Sequence, residues 1–557
     1  MLSTMNLTSI IMPQGIKIVP GGYVSAAGDV NGDGRPDFFV NIYDATYLIW
    51  GKTTGWQDID LNNLDSSLGI KFYCNNGIGS SIGVDDVNCD GIDDILISSP
   101  NGGTLSQGIT YLIWGKDGTW QDINLDNFNS SYGITIIGAN YGDSSGNFIS
   151  KLGDINGDKC NDFFIATDES FGYIIFGKSA ESNINLANLV PVQGITVQGI
   201  FNIDASTYPI SGAGDVNKDG YDDILISTHP VSTNAHIAYL IFGRNGTWAN
   251  INLDSLNISQ GITIYNSYVY VSAAGDVNKD GYDDFLIDDK AKTTYLIWGR
   301  DTGWQNMNLT NFNHSHGVII KGGSYFYYSG YPISSAGDVN KDGFDDILIG
   351  SAKTNQANKA TIYLILGNIT LQNINLVEFN CSQGVVIQDT TLIASMCNAQ
   401  DINKDGYDDI LIGSSYGQTS EASYLIFGGK IETPSPTIHP DHPTTPTTIT
   451  PTLPTISTTD IPTAPTAPTM PTFPTTEKPT IDPTTIAPIN GTSDADSESH
   501  SESWASSPTG IGILTTAAIL AAGAIVLGTW YCLCYRNRIA NNKLQEGLLD
   551  NELDILQ

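Results

Sequence analysis

Asp215-Val216-Asn217-Lys218-Asp219-Gly220-Tyr221-Asp222-Asp223 is one of seven copies of a nine-residue string, Asp-x-Asn-x-Asp-Gly-x-x-Asp. The other copies begin at Asp29, Asp86, Asp154, Asp276, Asp338 and Asp401, and successive starts lie 57, 68, 61, 61, 62 and 63 residues apart. A near-constant spacing of this length marks a repeat architecture. Around each string the same parts recur. A small-residue stretch ending in Gly-Asp precedes it, as in Ser272-Ala273-Ala274-Gly275-Asp276. An apolar run follows, such as Ile224-Leu225-Ile226. Then come a Tyr-Leu-Ile-Trp-Gly type run, as at Tyr111, an Asn-Leu turn, and Gly-Ile-Thr-Ile, as at Gly133 and Gly261. The runs are short, rich in β-branched and aromatic residues, and bounded by Gly, Asn and Asp, which reads as four strands per repeat. Four strands at a fixed period predict a propeller blade, so the fold class is all-β, a closed seven-bladed β-propeller. The strands are named A to D here, A lying before the acidic string.

The ends of the array predict how the ring closes. The last repeat stops at Phe427-Gly428, without its Asn-Leu turn and its Gly-Ile-x-Ile strand. Those pieces stand at the other end, as Met5-Asn6-Leu7 and Gly15-Ile16-Lys17-Ile18. The N-terminal strand should therefore complete the seventh blade and remove an open edge.

Each string reads as a calcium loop. Calcium takes six to eight oxygens. Positions one, three, five and nine offer side-chain oxygens, and position seven a main-chain carbonyl. The predicted ligands are Asp29, Asn31, Asp33, Arg35 and Asp37; Asp86, Asn88, Asp90, Ile92 and Asp94; and Asp154, Asn156, Asp158, Cys160 and Asp162. In the later loops they are Asp215, Asn217, Asp219, Tyr221 and Asp223; Asp276, Asn278, Asp280, Tyr282 and Asp284; Asp338, Asn340, Asp342, Phe344 and Asp346; and Asp401, Asn403, Asp405, Tyr407 and Asp409. Gly220 and its equivalents serve a tight turn, and Lys218 and Lys279 at position four are expected to point to solvent. Metal-free Asx turns are the alternative, but they leave several carboxylates crowded in each loop. Lys159 stands where the third loop should have glycine, so that site is expected to be the weakest.

With 59 acidic and 24 basic side chains the net charge is −35. Such a balance argues against nucleic acid or an anionic membrane surface as partner. These residues resemble the FG-GAP repeats that form the head of integrin α subunits, over about residues 1–430. The resemblance implies calcium at the loop positions just named. It also implies a cell-surface protein that adheres or recognises a ligand and is not an enzyme. The family's Phe-Gly is replaced before most loops, for example by Tyr208-Pro209 and Tyr331-Pro332, and Gly-Ala-Pro survives as variants such as Ser98-Ser99-Pro100. Integrin leg domains do not follow the repeat.

Beyond the propeller, residues 431–509 are expected to form a stalk, since the stretch 433–489 is dominated by Thr and Pro. Residues 510–535 carry no charge and suit a transmembrane helix, and residues 536–557 a short tail. Arg536, Arg538 and Lys543 place that tail in the cytoplasm and the propeller outside. Met1 already lies inside the repeat, with no signal peptide before it; the external reading expects a start upstream. A tail anchor with a cytosolic propeller is the alternative, and it sets Arg536 and Arg538 on the wrong side. Five cysteines fall in the propeller, an odd number, and no disulfide framework is expected. Cys532 and Cys534 at the inner membrane edge are candidates for palmitoylation. Nine Asn-x-Ser/Thr sequons occur, among them Asn245, Asn308 and Asn313.

The A–B and C–D loops share one face of a propeller, so calcium takes that face and leaves the other for ligand. There the D–A connections are aromatic: Tyr265, Tyr268 and Tyr270 in one, Tyr325, Phe326, Tyr327 and Tyr328 in another. These are candidate contacts for a protein or glycan ligand, with packing between blades as the alternative. A propeller hydrolase or lyase is a further alternative, but the sequence has neither a nucleophile elbow nor zinc spacing, nor paired carboxylates outside the calcium loops. His314-Ser315-His316 reads as a solvated turn.

Overall fold

The computed structural model describes residues 4–7, 12–42, 45–104, 106–168, 171–179, 182–200, 210–228, 236–265, 270–289, 292–322, 326–353, 360–388, 393–414 and 421–430. The chain divides into two compact units, 1–444 and 445–557. The expected stalk, membrane helix, tail, Cys532 and Cys534 lie outside the described residues, as do Tyr268 and Tyr325. Among the described residues no helix is long and apolar enough to cross a membrane.

The first unit is a ring of seven sheets. In blade four, Ile210–Gly214 is strand A, Asp223–Thr228 strand B, Ile237–Ile241 strand C and Gly261–Tyr265 strand D, all antiparallel. Each sheet has a fifth, two- or three-residue strand that the sequence did not announce. It comes from the C–D connection of the next blade: Met307–Asn308 pairs in parallel with Ile264 and Tyr265. The Asn-Leu signal that follows marks a one-turn 3₁₀ segment. Asn252 caps Leu253–Ser255, its side chain accepting from the Asp254 N–H, while Leu253 is buried.

The ring closes as expected. Gly15, Ile16, Lys17 and Ile18 pair with Ile426, Leu425, Tyr424 and Ser423, and the Phe427 N–H donates to the Gln14 carbonyl at 3.0 Å. Thr4–Asn6 becomes the fifth strand of blade six. The two ends of the array are thus held by strand pairing on both sides of one seam.

The core is not central. It consists of seven apolar seams, one between each pair of neighbouring blades. Strand B faces a seam on both sides, so Asp94–Ser99 and Asp223–Thr228 are buried along their whole length. That double burial is why these runs read as continuous apolar stretches rather than as alternation. Toward the axis the A strands offer small residues, because seven strands converge there.

Candidate metal loops and the two faces

The acidic string turns the chain from strand A to strand B, and its oxygens first organise its own backbone. In loop four the Asp215 carboxylate accepts from the N–H groups of Asp219 at 3.0 Å and Gly220 at 2.8 Å. Asn217 accepts from Asp219 at 2.9 Å, and Asp219 from Tyr221 at 3.1 Å. Asp223 accepts from Val216 at 3.1 Å and from Gly243, at the end of strand C, at 2.8 Å. The position-nine aspartate is fully buried in every loop, as Asp37, Asp94, Asp162, Asp223, Asp284, Asp346 and Asp409. Burial pushes the Asp94, Asp162, Asp284, Asp346 and Asp409 carboxyls up to about 8, and the nearby aspartates add to the rise. Among the described residues, only Arg35, on Asp33, forms an ion pair with a loop carboxylate.

This donor set fits a hard cation. Each carboxylate oxygen has a second lone pair beyond its N–H bond, the donors are all oxygen, and the crowded negative charge has almost no protein counter-ion. The loop side chains sit in Asx-turn form, and no group of three or more His, Cys, Asp or Glu among the described residues stands as a metal cage. Calcium in these loops is therefore taken up below as a proposal.

The turn glycine is needed for its backbone. Gly220 has φ +90°, and a Cβ there would meet nothing within 4 Å. Lys159 occupies the same left-handed region at φ +73°, and its N–H reaches the Asp154 carboxylate at 2.8 Å as glycine does elsewhere. The third loop thus keeps its shape with a residue that strains to adopt it.

The lysines at position four are exposed, as expected, but they also make a contact. The ammonium groups of Lys218, Lys279 and Lys341 lie 5.2, 5.1 and 5.4 Å from the rings of Tyr282, Phe344 and Tyr407, at position seven of the next loop. At the junction of loops two and three the same two positions hold Cys89 and Cys160, joined as a disulfide across 71 residues of sequence. The sequence did not announce that pair; an odd cysteine was expected to remain unpaired, and Cys74, Cys381 and Cys397 are free.

Position eight was also missed. Asp93, Asp222, Asp283, Asp345 and Asp408 accept from the N–H of Asp29, Asp154, Asp215, Asp276 and Asp338 in the preceding loop at 2.8–3.0 Å. The carboxylate nests against the glycine that ends the preceding A strand. A Cβ on Gly214 would lie 2.3 Å from an Asp283 oxygen. Where position eight is Asn161 or Pro36, the preceding residue is Asp85 or Gln400 instead of glycine. The Gly-Asp signal before five of the seven loops is thus half of a contact between blades.

On the opposite face, the exposed large aromatic residues among those described are Tyr73, Tyr141, Phe171 and Tyr265. All four stand at the ends of D strands, in a D–A connection or at the start of a C strand, hence away from the acidic loops. Tyr265 is 41% exposed, whereas Tyr270 is 4% exposed and packs into the seam between blades five and six. Phe326, Tyr327 and Tyr328 open a 12-residue A strand, Phe326–Gly337, which with Asp346–Lys353 extends blade six toward this face.

Relatives match the propeller region. Chicken integrin alpha-V is 25% identical over 226 residues, which is 38% of this chain and 20% of that protein. Integrin alpha-5 of Xenopus laevis is 25% identical over 228 residues, again 38% of this chain and 20% of the relative. Integrin alpha pat-2 of Caenorhabditis elegans is 24% identical over 221 residues, 37% of this chain and 17% of that protein. The propeller is integrin-α-like. No protein-family model matches the chain. The chain spans about a fifth of the length of these relatives. The integrin-α-like domain therefore carries the FG-GAP type of repeat read from the acidic strings, with seven blades and a strand-exchanged closure.

Proposed function

We propose that this chain is a membrane-anchored surface protein whose calcium-stiffened propeller mediates adhesion or ligand recognition through the face opposite the acidic loops. Its partner is an extracellular protein, and it acts by binding rather than catalysis. The observation that carries this reading is the segregation of exposed side chains. Tyr73, Tyr141, Phe171 and Tyr265 gather on one face, whereas the exposed aliphatic residues Val190, Val192, Ile258, Ile369 and Val377 belong to the other face or its rim. Tyrosine supplies contact area and a polar tip at low entropic cost, which suits a recognition surface. Up to seven calcium ions, held at positions one, three, five, seven and nine, would add +14 to the −35 of the chain and rigidify the opposite face. The uncharged segment 510–535 would span the membrane, with the Thr/Pro stretch as stalk and glycans on exposed sequons such as Asn245 and Asn313.

The test is adhesion of cells displaying the full chain to a panel of surface-protein-coated wells. Tyr73→Ala, Tyr141→Ala and Tyr265→Ala combined should reduce adhesion at least tenfold at equal display. Adhesion equal to wild type would remove the aromatic face from the reading. A second reading, recognition of glycans by the same tyrosines, separates from it on a glycan array.

A further inference from the structure

We propose that the cleft between blades one and two, on the acidic-loop face, is a binding site for a neutral oligosaccharide. It stands apart from the aromatic face and does not rest on the adhesion reading. The cleft has a volume of about 560 Å³, within the range of small-molecule sites. Trp50 and Trp120 form its apolar lining, their rings 6.0 Å apart and tilted by 55°. Trp120 is committed to structure. It is 8% exposed, its indole N–H donates to the Lys116 carbonyl at 3.1 Å, and the Lys116 ammonium covers its ring. Trp50 is only partly buried and supplies the surface on which the C–H face of a sugar ring can lie.

The rest of the lining is hydroxyl, amide and carboxylate. Ser66, Ser67, Asp117 and Thr119 stand exposed around the mouth, and Asn31 and Asp33 line the loop side. Closely spaced donors and acceptors of this kind match the vicinal hydroxyls of a sugar. The charge is balanced. Arg35 and Lys52 are set against Asp33 and Asp117, and Arg35 is folded onto Asp33 and the Gly51 carbonyl, so these side chains carry no net charge of their own; calcium held in loop one by Asn31 and Asp33 would border the cleft, and the binding experiment is run in calcium.

The cleft is open for a reason visible in the repeat. At loops four, five and six a position-four lysine crosses to the next blade, and at loop two a disulfide does so. Loop one has Gly32 there, so no position-four side chain crosses to blade two, and position seven opposite it is the smaller Ile92; loop three also has a glycine, Gly157, but the Tyr221 ring covers it. The Trp50–Trp120 contact is also the one Trp–Trp pair among the described residues; elsewhere phenylalanine takes one side, as in Phe176–Trp248 and Phe242–Trp304.

The experiment applies the full chain to an array of neutral, sialylated and sulfated oligosaccharides, then titrates the best neutral glycan by tryptophan fluorescence. The expected result is binding confined to neutral glycans. Ser66→Trp, which fills the mouth without touching the core, and Asp117→Ala should each weaken it at least fivefold with unchanged melting temperature. Tyr141→Ala, on the opposite face, should leave it unaltered. No binding to neutral glycans, a preference for charged ones, or affinity unchanged in both Ser66→Trp and Asp117→Ala would overturn the proposal. Loss of binding in Tyr141→Ala alone would assign glycan recognition to the aromatic face instead.

Discussion

Blades four to seven and blades two and three are joined at the same two loop positions by different chemistry. In the first group a position-four lysine rests on a position-seven ring, repeated as Lys218–Tyr282, Lys279–Phe344 and Lys341–Tyr407. In the second the two side chains are the covalently linked Cys89 and Cys160. The backbone is the same at both, down to the left-handed φ of Lys279 at +60° and Cys89 at +61°. Position four therefore serves as a joint between blades and needs no polar head of its own. The disulfide also sits in the loop where Lys159 has displaced the turn glycine, so the tightest cross-link adjoins the most strained turn.

The largest effect should come from cutting that cross-link. Cys89→Ser opens a closure of 71 residues and should cost about 4 kcal/mol by the loop-entropy model, read as a lower denaturation midpoint in urea. A loss below about 1 kcal/mol would mean that the disulfide adds nothing beyond the stacks. Next is the glycine nest. Gly214→Ala sets a Cβ 2.3 Å from an Asp283 oxygen at φ +73°, with an expected cost of about 1–3 kcal/mol. Gln400→Gly, at the junction where Pro36 brings no carboxylate, should be neutral or stabilising, and equal losses in the two variants would break the pairing of glycine with position eight. Lys159→Gly should relieve about 1 kcal/mol of turn strain and tighten the third loop for calcium, which a site-resolved titration reads as the last site moving earlier. Smallest is Lys279→Ala. Loss of one exposed stack on Phe344 should cost roughly 0.5–1 kcal/mol, and no measurable change would reduce the lysines to solvent-facing spacers.

Much of this molecule was legible because it is repeated. The alternation of apolar runs with Gly, Asn and Asp gave seven blades, and the pieces displaced to Met5–Ile18 gave the closing strand. Contacts that cross from one blade to the next were hidden, because periodicity aligns equivalent positions but does not say which different positions meet. So Lys218 read as solvent-facing, which it is, without its contact on Tyr282, and Asp283 read as one more loop carboxylate. Cys89 and Cys160 occupy positions four and seven, and only the ring geometry brings those together. The exchange of Gly214 for Asp85 and Gln400 was visible, and so was the exchange of Asp283 for Asn161 and Pro36. Their coincidence at the same two junctions was the available signal. At the second face, Tyr265 and Tyr270 look alike in sequence, but Tyr270 is the first residue of strand A and enters the seam.

The central claim is that the acidic loops are calcium sites that hold the propeller rigid. Its most direct measurement is thermal unfolding of the chain in EDTA and in 2 mM calcium, with magnesium as control. Loops of this kind bind extracellular calcium with dissociation constants on the order of 10⁻⁴ to 10⁻³ M, and binding to the folded state alone adds about 0.6–2 kcal/mol per occupied site. The account predicts a clear rise in melting temperature with calcium that magnesium does not reproduce. Identical melts in EDTA and in calcium would contradict it and return the loops to Asx turns.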